Sequence, residues 1–259
     1  MTSEDCGKYD FEMGYFDLGR AAAERGLELP PGFDDSVSQA AISTALTAVF
    51  RGKFCDAILP NRKARTFQRE EIIYDVGDME RIFFFLRGGF VKVGTITLDG
   101  HELIYDVRKG GDVVGELCAS EERRVDRAVA LEQTEAVPVP FQDVMQVVRN
   151  EPQLLARLVD LFCQALKEAY SQVNTLAVDD TLRRLVNVLL SLGEKIGSNA
   201  GQGVELSAYL TQEELSQMVA ARRERVSTAL NFLRRKGAIH YSSPGRIVLN
   251  IQNLRTYVT

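Results

Sequence analysis

Between residues 58 and 141 the apolar positions come in short runs cut by glycine. The runs cover 72–74, 81–86, 90–97, 102–107 and 128–131. Gly77-Asp78, Gly88-Gly89, Asp99-Gly100 and Gly110-Gly111 fall between them, where tight turns require positive φ. Short runs at this spacing predict an antiparallel sandwich or barrel, and nothing in the segment suggests a parallel sheet.

Beyond this segment the period changes to that of a helix. Residues 141–150 read as one short helix, and a longer one follows Pro152, a residue suited to a first helical turn. In the longer helix Leu155, Val159, Phe162, Leu166, Ala169, Val173 and Leu176 recur at spacings of four and three, as in a coiled-coil seam. A second apolar line, Leu154, Leu158, Leu161 and Ala165, lies on the adjacent face. Two such faces suit two partners, the helix's own sheet and a second subunit; the rival reading buries the helix within one domain. The seam is long for a single core stripe, which favours a homodimer. Val178-Asp179-Asp180 marks a hinge, 182–192 resumes as an amphipathic helix, and 197–203 reads as a loop. At the other end, residues 1–44 form an acidic extension interrupted by Pro30-Pro31-Gly32, and 40–50 has helical spacing.

The chemistry concentrates near the C-terminus. Thr211 and Glu214 form a capping-box pattern opening one helix, Ala220-Ala221 follows it, and a second helix runs from about 222 to 236 until Gly237 stops it. Two short helices across a tight turn predict a helix-turn-helix. Val226, Leu230 and Leu233 would face inward, leaving Arg223, Glu224, Ser227 and Thr228 near the helix start, the end that reaches base edges in a major groove. Arginine can bond guanine through two acceptors and glutamate can accept from the cytosine amino group. Arg222, Arg225 and Arg234 suit phosphates. Residues 239–241 and 246–250 read as a hairpin wing, with Arg246 at its turn. The bland alternative is a solvated charged helix face.

Charge supports the DNA reading. The 259 residues carry a net −5, yet residues 181–259 hold 11 Lys and Arg against five acids, so the remainder is strongly acidic. An acidic body with a basic tail fits a protein whose tail alone meets a polyanion. The four cysteines, Cys6, Cys55, Cys118 and Cys163, are widely separated, which argues against a disulfide framework and against a clustered iron–sulfur site. His101 and His240 have no spaced metal partners. No apolar run is long enough for a bilayer, and Met1-Thr2-Ser3-Glu4-Asp5 does not begin a secretory signal. A cytoplasmic protein without catalytic residues is the expectation, since no nucleophile–base pair or paired pocket carboxylates are visible.

Over residues 46–258 the sequence resembles the cyclic-AMP receptor protein and Fnr (Crp-Fnr) family of bacterial transcription regulators. Arg223-Glu224-Arg225-Val226-Ser227 is similar to the family's recognition-helix pattern. The family usually has glycine and serine where this chain has Ala220 and Arg222, and often arginine at Thr228. Gly115-Glu116-Leu117 followed by Arg127-Ala128 resembles the family's phosphate-binding cassette. The resemblance implies that Glu116 accepts a ribose hydroxyl, Arg127 pairs with a cyclic phosphate, and N–H groups near Glu116 and Ala128 hold its oxygens, so that cAMP or cGMP is the implied effector. Arg123 and Arg124 are rival phosphate ligands. On the long helix Ala169-Tyr170 stands where cAMP-responsive members carry a Thr-Ser pair, and Tyr170 would stack on or close the pocket.

The implied fold is α+β: an antiparallel cyclic-nucleotide-binding-like β-roll, a long dimerisation helix and a winged helix-turn-helix. The expected divisions are 1–44, 45–150, 151–180 and 181–259. The implied partners are double-stranded DNA, a second copy of the chain and RNA polymerase, with no membrane. The rival functions are an effector-independent regulator, a redox- or haem-sensing regulator of the same fold, and a nucleotide-binding module that regulates a protein partner.

Overall fold

The computed structural model describes residues 58–119, 123–151, 179–201, 203–242 and 245–258, and individual helical positions between 154 and 176. The acidic extension, the helical spacing at 40–50, Cys6 and Cys55 lie outside the described residues.

Eight antiparallel strands make the first half: β1 (Arg65–Phe67), β2 (Ile72–Tyr74), β3 (Ile82–Gly88), β4 (Phe90–Ile96), β5 (Glu102–Lys109), β6 (Val113–Val114), β7 (Arg127–Ala130) and β8 (Thr134–Pro140). They form two four-stranded sheets, ordered β1-β8-β3-β6 and β2-β7-β4-β5. Each predicted glycine turn contains a glycine at positive φ: Gly77, Gly89, Gly100 and Gly111. The run Phe83-Phe84-Phe85-Leu86 does not alternate in polarity because β3 is buried on both faces. Phe84 and Leu86 pack with Tyr74, Val91 and Ala128 between the sheets. Phe83 and Phe85 pack outward with Val144 and Val148 of helix α1 (Phe141–Asn150).

The second half starts at α2 (Thr181–Ile196), whose N-cap Asp180 accepts a hydrogen bond from the Arg183 N–H at 2.9 Å. Asp179 and Asp180 are non-helical and separate α2 from the helical positions before them. The stretch read as a loop is in fact paired. β9 (Gly197–Ala200) and β10 (Gly203–Leu206) form a hairpin that joins the wing strands β11 (Ile239–Tyr241) and β12 (Ile247–Leu249) in the order β11-β12-β10-β9. Its Gly-Ser-Asn-Ala strand carries no apolar alternation, so register against β10 decides its conformation. Helices α3 (Gln212–Val219), α4 (Arg223–Arg235) and α5 (Ile251–Arg255) complete this half.

The halves share a core. Val107 of β5 and Leu131, which follows β7, belong to the same apolar cluster as Leu185, Leu189, Leu215 and Leu230. Lys92 of β4 lies 3.8 Å from Glu214 of α3. Lys195 of α2 lies 2.6 Å from Asp106 of β5.

The β4–β5 hairpin needs glycine at position 94. A Cβ there would collide with the Leu103 carbonyl oxygen, at the point where the register shifts between Val93 and Gly94. Gly94→Ala must push two backbones apart and is expected to cost about 2 kcal/mol. Urea unfolding checks this, and an unchanged midpoint would show that the hairpin separates freely.

Candidate DNA interface and sensor site

The capping box forms as the sequence predicts. Thr211 Oγ1 accepts from the Glu214 N–H at 3.1 Å, and Glu214 Oε2 accepts from the Thr211 N–H at 2.7 Å. The turn after α3 passes through Ala220 in the left-handed region, φ 51° and ψ 50°. A Cβ is costly in that conformation, and glycine would adopt it without strain. Arg222 is the N-cap of α4 and provides no side-chain cap. The first-turn N–H groups therefore lack the capping hydroxyl that a serine would give, and a DNA phosphate suits them chemically.

Val226, Ala229, Leu230 and Leu233 bury one face of α4. On its other faces Arg222, Arg223, Glu224, Arg225 and Thr228 are exposed and Ser227 is half-buried. Arg223 touches Glu213 only distantly, at 3.9 Å, so its guanidinium is available to a ligand. Thr228 Oγ1 instead donates to the Glu224 carbonyl at 2.9 Å. Gly237, at φ 69°, ends the helix, and the hairpin β11–β12 brings half-buried Arg246 to the wing turn.

The roll's cassette departs from the arrangement the resemblance implies. Gly115, at φ 88°, leads into a 3-10 turn at Glu116–Ala119, where Leu117 is exposed. Strand alternation then assigns the faces of the following segment. Asp126, Ala128 and Ala130 are buried. Arg127 instead lies on the face that carries Lys92, Glu102 and Val129. There its Nη1 is 3.1 Å from Glu102 and its Nε 3.3 Å from Asp75. Arg127 and Glu116 are thus not brought together. Glu116 meets Arg108 at 3.4 Å. Tyr170, on the long helix, is 62% exposed in the single chain.

The inward-facing groups that sequence reasoning missed are Asp106, Arg108 and Asp126. Asp126 accepts a hydrogen bond from the Tyr74 hydroxyl at 2.8 Å. Arg124 lies over the Tyr74 ring at 4.0 Å and donates to the carbonyls of Ile82, at 2.6 Å, and Gly115, at 3.3 Å. Arg108 lies 2.9 Å from Asp106, which in turn holds Lys195. Burial pushes the Glu116 and Asp126 carboxyls up. Burial also acts to raise Asp106, but Arg108 and Lys195 outweigh it and hold that carboxyl below its ordinary range. Counting two residues back from Ala128 in strand period would have marked Asp126 as inward-facing.

The predicted seam is open. Leu155, Val159, Phe162, Leu166, Ala169, Val173 and Leu176 are all exposed in the single chain, Leu166 by 52%. Cys118 is buried and Cys163 exposed. His101 and His240 are exposed. Among the described residues no cluster of three or more His, Cys, Asp or Glu is placed to hold a metal ion, and no helix is long and apolar enough to cross a membrane.

A β-roll followed by a long helix and a winged helix-turn-helix defines a class of DNA-binding transcription regulators. Residues 64–151 match the cyclic nucleotide-binding domain family and residues 183–257 the Crp-like helix-turn-helix domain family. The global nitrogen regulator of Nostoc sp. is 28% identical over 199 residues, 75% of this chain and 88% of the relative. A CRP-like cAMP-activated global transcriptional regulator of Mycobacterium tuberculosis is 24% identical over 189 residues, 73% of this chain and 84% of the relative. The crystal structure of a CRP/FNR-family transcriptional regulator from Thermus thermophilus aligns with a TM-score of 0.61 at 25% identity, covering 76% of this chain and 98% of that one. The chain belongs to the Crp-Fnr family and is a transcription regulator with a DNA-binding helix-turn-helix.

Two stability outcomes follow from this geometry. Ala220→Gly relieves the left-handed turn and is expected to add about 1 kcal/mol, or roughly 2–4 °C in melting temperature; a lower melting temperature would contradict the strain. For Asp126, a folded pKa above the unfolded value makes the ionised carboxyl a cost to stability. That cost sets in as pH rises through the folded pKa. Asp126→Asn keeps an acceptor for Tyr74, so it should melt no lower than the parent at pH 7, and any advantage should fade as pH falls to about 4. Melts across this range check the sign, and a variant less stable at pH 7 would show that the charge itself is needed.

Proposed function

We propose that the protein acts as a homodimer that reads inverted DNA half-sites with α4, under control that does not involve a cyclic nucleotide. The observation that carries the dimeric reading is the exposed heptad seam. Seven apolar or small side chains at alternating spacings of four and three are left open to solvent in a single chain. A second copy would cover them, and a two-fold axis would set two copies of α4 about 34 Å apart, one turn of duplex DNA. Arg223 and Glu224 are the base readers. Arg222, Arg225 and Arg246 neutralise phosphates, and Ser227 and Thr228 line the same groove. Work on chromosomal DNA would put the protein in the cytoplasm alongside RNA polymerase.

The roll's interior supports the second half of the proposal. Its two arginines lie against the protein's own groups, Arg108 against Asp106 and Glu116, and Arg124 against two carbonyls and the Tyr74 ring, although Arg108 Nε and Nη1 and Arg124 Nε have no hydrogen-bond partner among the described residues. Asp126 adds a third carboxylate beside them. A cyclic phosphate entering here would have to compete with these carboxylates for the guanidiniums, and anion recognition needs a cation free to take the charge.

Three measurements test this reading. Sedimentation should give a dimer, and Leu166→Glu should give a monomer. Selection from a randomised operator library should return a two-fold symmetric site. Arg223→Ala should lose about 1–3 kcal/mol of preference at one base pair per half-site. Calorimetry against cAMP and cGMP should show no heat of binding; saturable micromolar binding of either would overturn the sensor reading, and unchanged selectivity of Arg223→Ala would remove that residue's role.

A further inference from the structure

A cavity of about 330 Å³ lies at the joint between the roll and the DNA-binding half. One wall is β5, from Leu103 to Val107. Facing it are the α2 residues Arg184, Asn187, Val188, Ser191, Leu192 and Lys195, and the end of α3 from Gln217 through Val219 to Ala220. Thr175 and Leu176 of the long helix complete the lining. The cavity is separate from the cassette: neither Gly115, Glu116 nor Asp126 lines it.

Two lining side chains carry polar atoms that are buried and have no hydrogen-bond partner among the described residues, Nε of Arg184 and Oε1 of Gln217. Buried donors and acceptors in folded proteins are nearly always satisfied, so an unpaired donor and an unpaired acceptor in the lining of one cavity point to an occupant. The two other charged groups of the lining neutralise each other, because Lys195 Nζ lies 2.6 Å from Asp106 Oδ1. Arg108 adds a second cation to that carboxylate at 2.9 Å. The Arg184 guanidinium therefore sets the charge preference of the cavity. The rest of the lining is largely aliphatic, with Leu103, Val188, Leu192 and Met218 among it. A guanidinium, one acceptor and an apolar wall are the complement of a small organic anion that also carries a hydrogen-bond donor.

We propose that this joint cavity is an effector site for such an anion, its acidic group on Arg184, its donor on Gln217 and its apolar body against Val188 and Met218. The lining comes from the roll, the long helix and both helices that precede the recognition helix. A ligand there contacts every part that must move if the DNA-binding half is to swing on the roll. It would shift DNA affinity by favouring one arrangement of that joint. The effect on DNA rests on the regulator reading above, whereas binding in the cavity does not.

The test uses the full chain and 8-anilinonaphthalene-1-sulfonate, a probe with an apolar ring system, an acidic group and one N–H donor. Fluorescence and calorimetric titration should show one saturable site per protomer. Arg184→Gln should weaken it roughly tenfold, the loss expected for a charge-assisted contact. Ser191→Trp should abolish it by filling the cavity, with circular dichroism confirming that each variant is folded. If Ser191→Trp does not fold, Gln217→Leu replaces it and should also weaken binding. Non-saturating binding, or affinity unchanged in Arg184→Gln, would overturn the site. In parallel, saturating probe should change wild-type affinity for the selected operator at least threefold. An unchanged operator affinity with the cavity occupied would overturn its regulatory role. Failure of the wild type to bind any duplex, with cavity binding intact, would count against the regulator reading instead.

Discussion

A carboxylate shared by two halves of the chain holds this protein together. Asp106 sits on β5 of the roll, and its charge is balanced by Arg108 from the same strand and by Lys195 from α2. Removing either cation would leave a mostly buried negative charge short of a partner, which folded proteins tolerate poorly. Val107, the residue between Asp106 and Arg108, packs into the core of the DNA-binding half. Apolar contact of this kind is non-directional and would permit sliding, whereas the ion pair selects one register. Three consecutive residues thus supply the adhesion and the alignment of the joint. Arg108 also reaches Glu116 in the cassette, so a change in the roll's interior has a short physical route to α2.

The cassette shows how strand parity controls chemistry. Arg127 and Asp126 are neighbours in sequence, but alternate residues of a strand face opposite sides. The arginine therefore meets the half-buried Asp75 and Glu102 on the sheet's other face, and the aspartate enters the roll. A one-residue difference of placement leaves Tyr74, Asp126 and Arg124 in contact inside the roll, where Arg124 Nε and Asp126 Oδ1 have no hydrogen-bond partner among the described residues. The family's domain architecture is kept while Arg127 and Glu116 stand apart, since a shared fold does not fix which side chains meet.

Much of the architecture was legible because local signals agreed with the final packing. The glycine turns, the Thr211–Glu214 capping box, the stop at Gly237 and the wing all occupy their expected places. The elements that escaped notice are those whose conformation is set by a neighbour. β1 and β6 have three and two residues, too few to show a period. β9 is polar and is held by pairing with β10. β8 carries two prolines in Thr-Glu-Ala-Val-Pro-Val-Pro, a composition that reads against a strand, yet β1 pairs only with Thr134–Ala136, so Pro138 and Pro140 lie where β8 has β3 alone as a neighbour.

The chain's own pattern determined what each segment could become: a two-period roll, a helix with an open heptad seam, and a basic helix-turn-helix without a serine cap. Those are short-range properties, decided by which residues lie two, three or four apart. Which ionisable groups face one another is a long-range property. Lys195 meets Asp106 across 89 positions of sequence, and Arg124 packs on Tyr74 across 50. No local period encodes such pairs, because burial and charge compensation act on whatever the folded backbone brings within a few ångströms. The tertiary structure alone therefore decided that Asp126 and Arg124, not Arg127, enter the roll and that an open cavity lies at the joint.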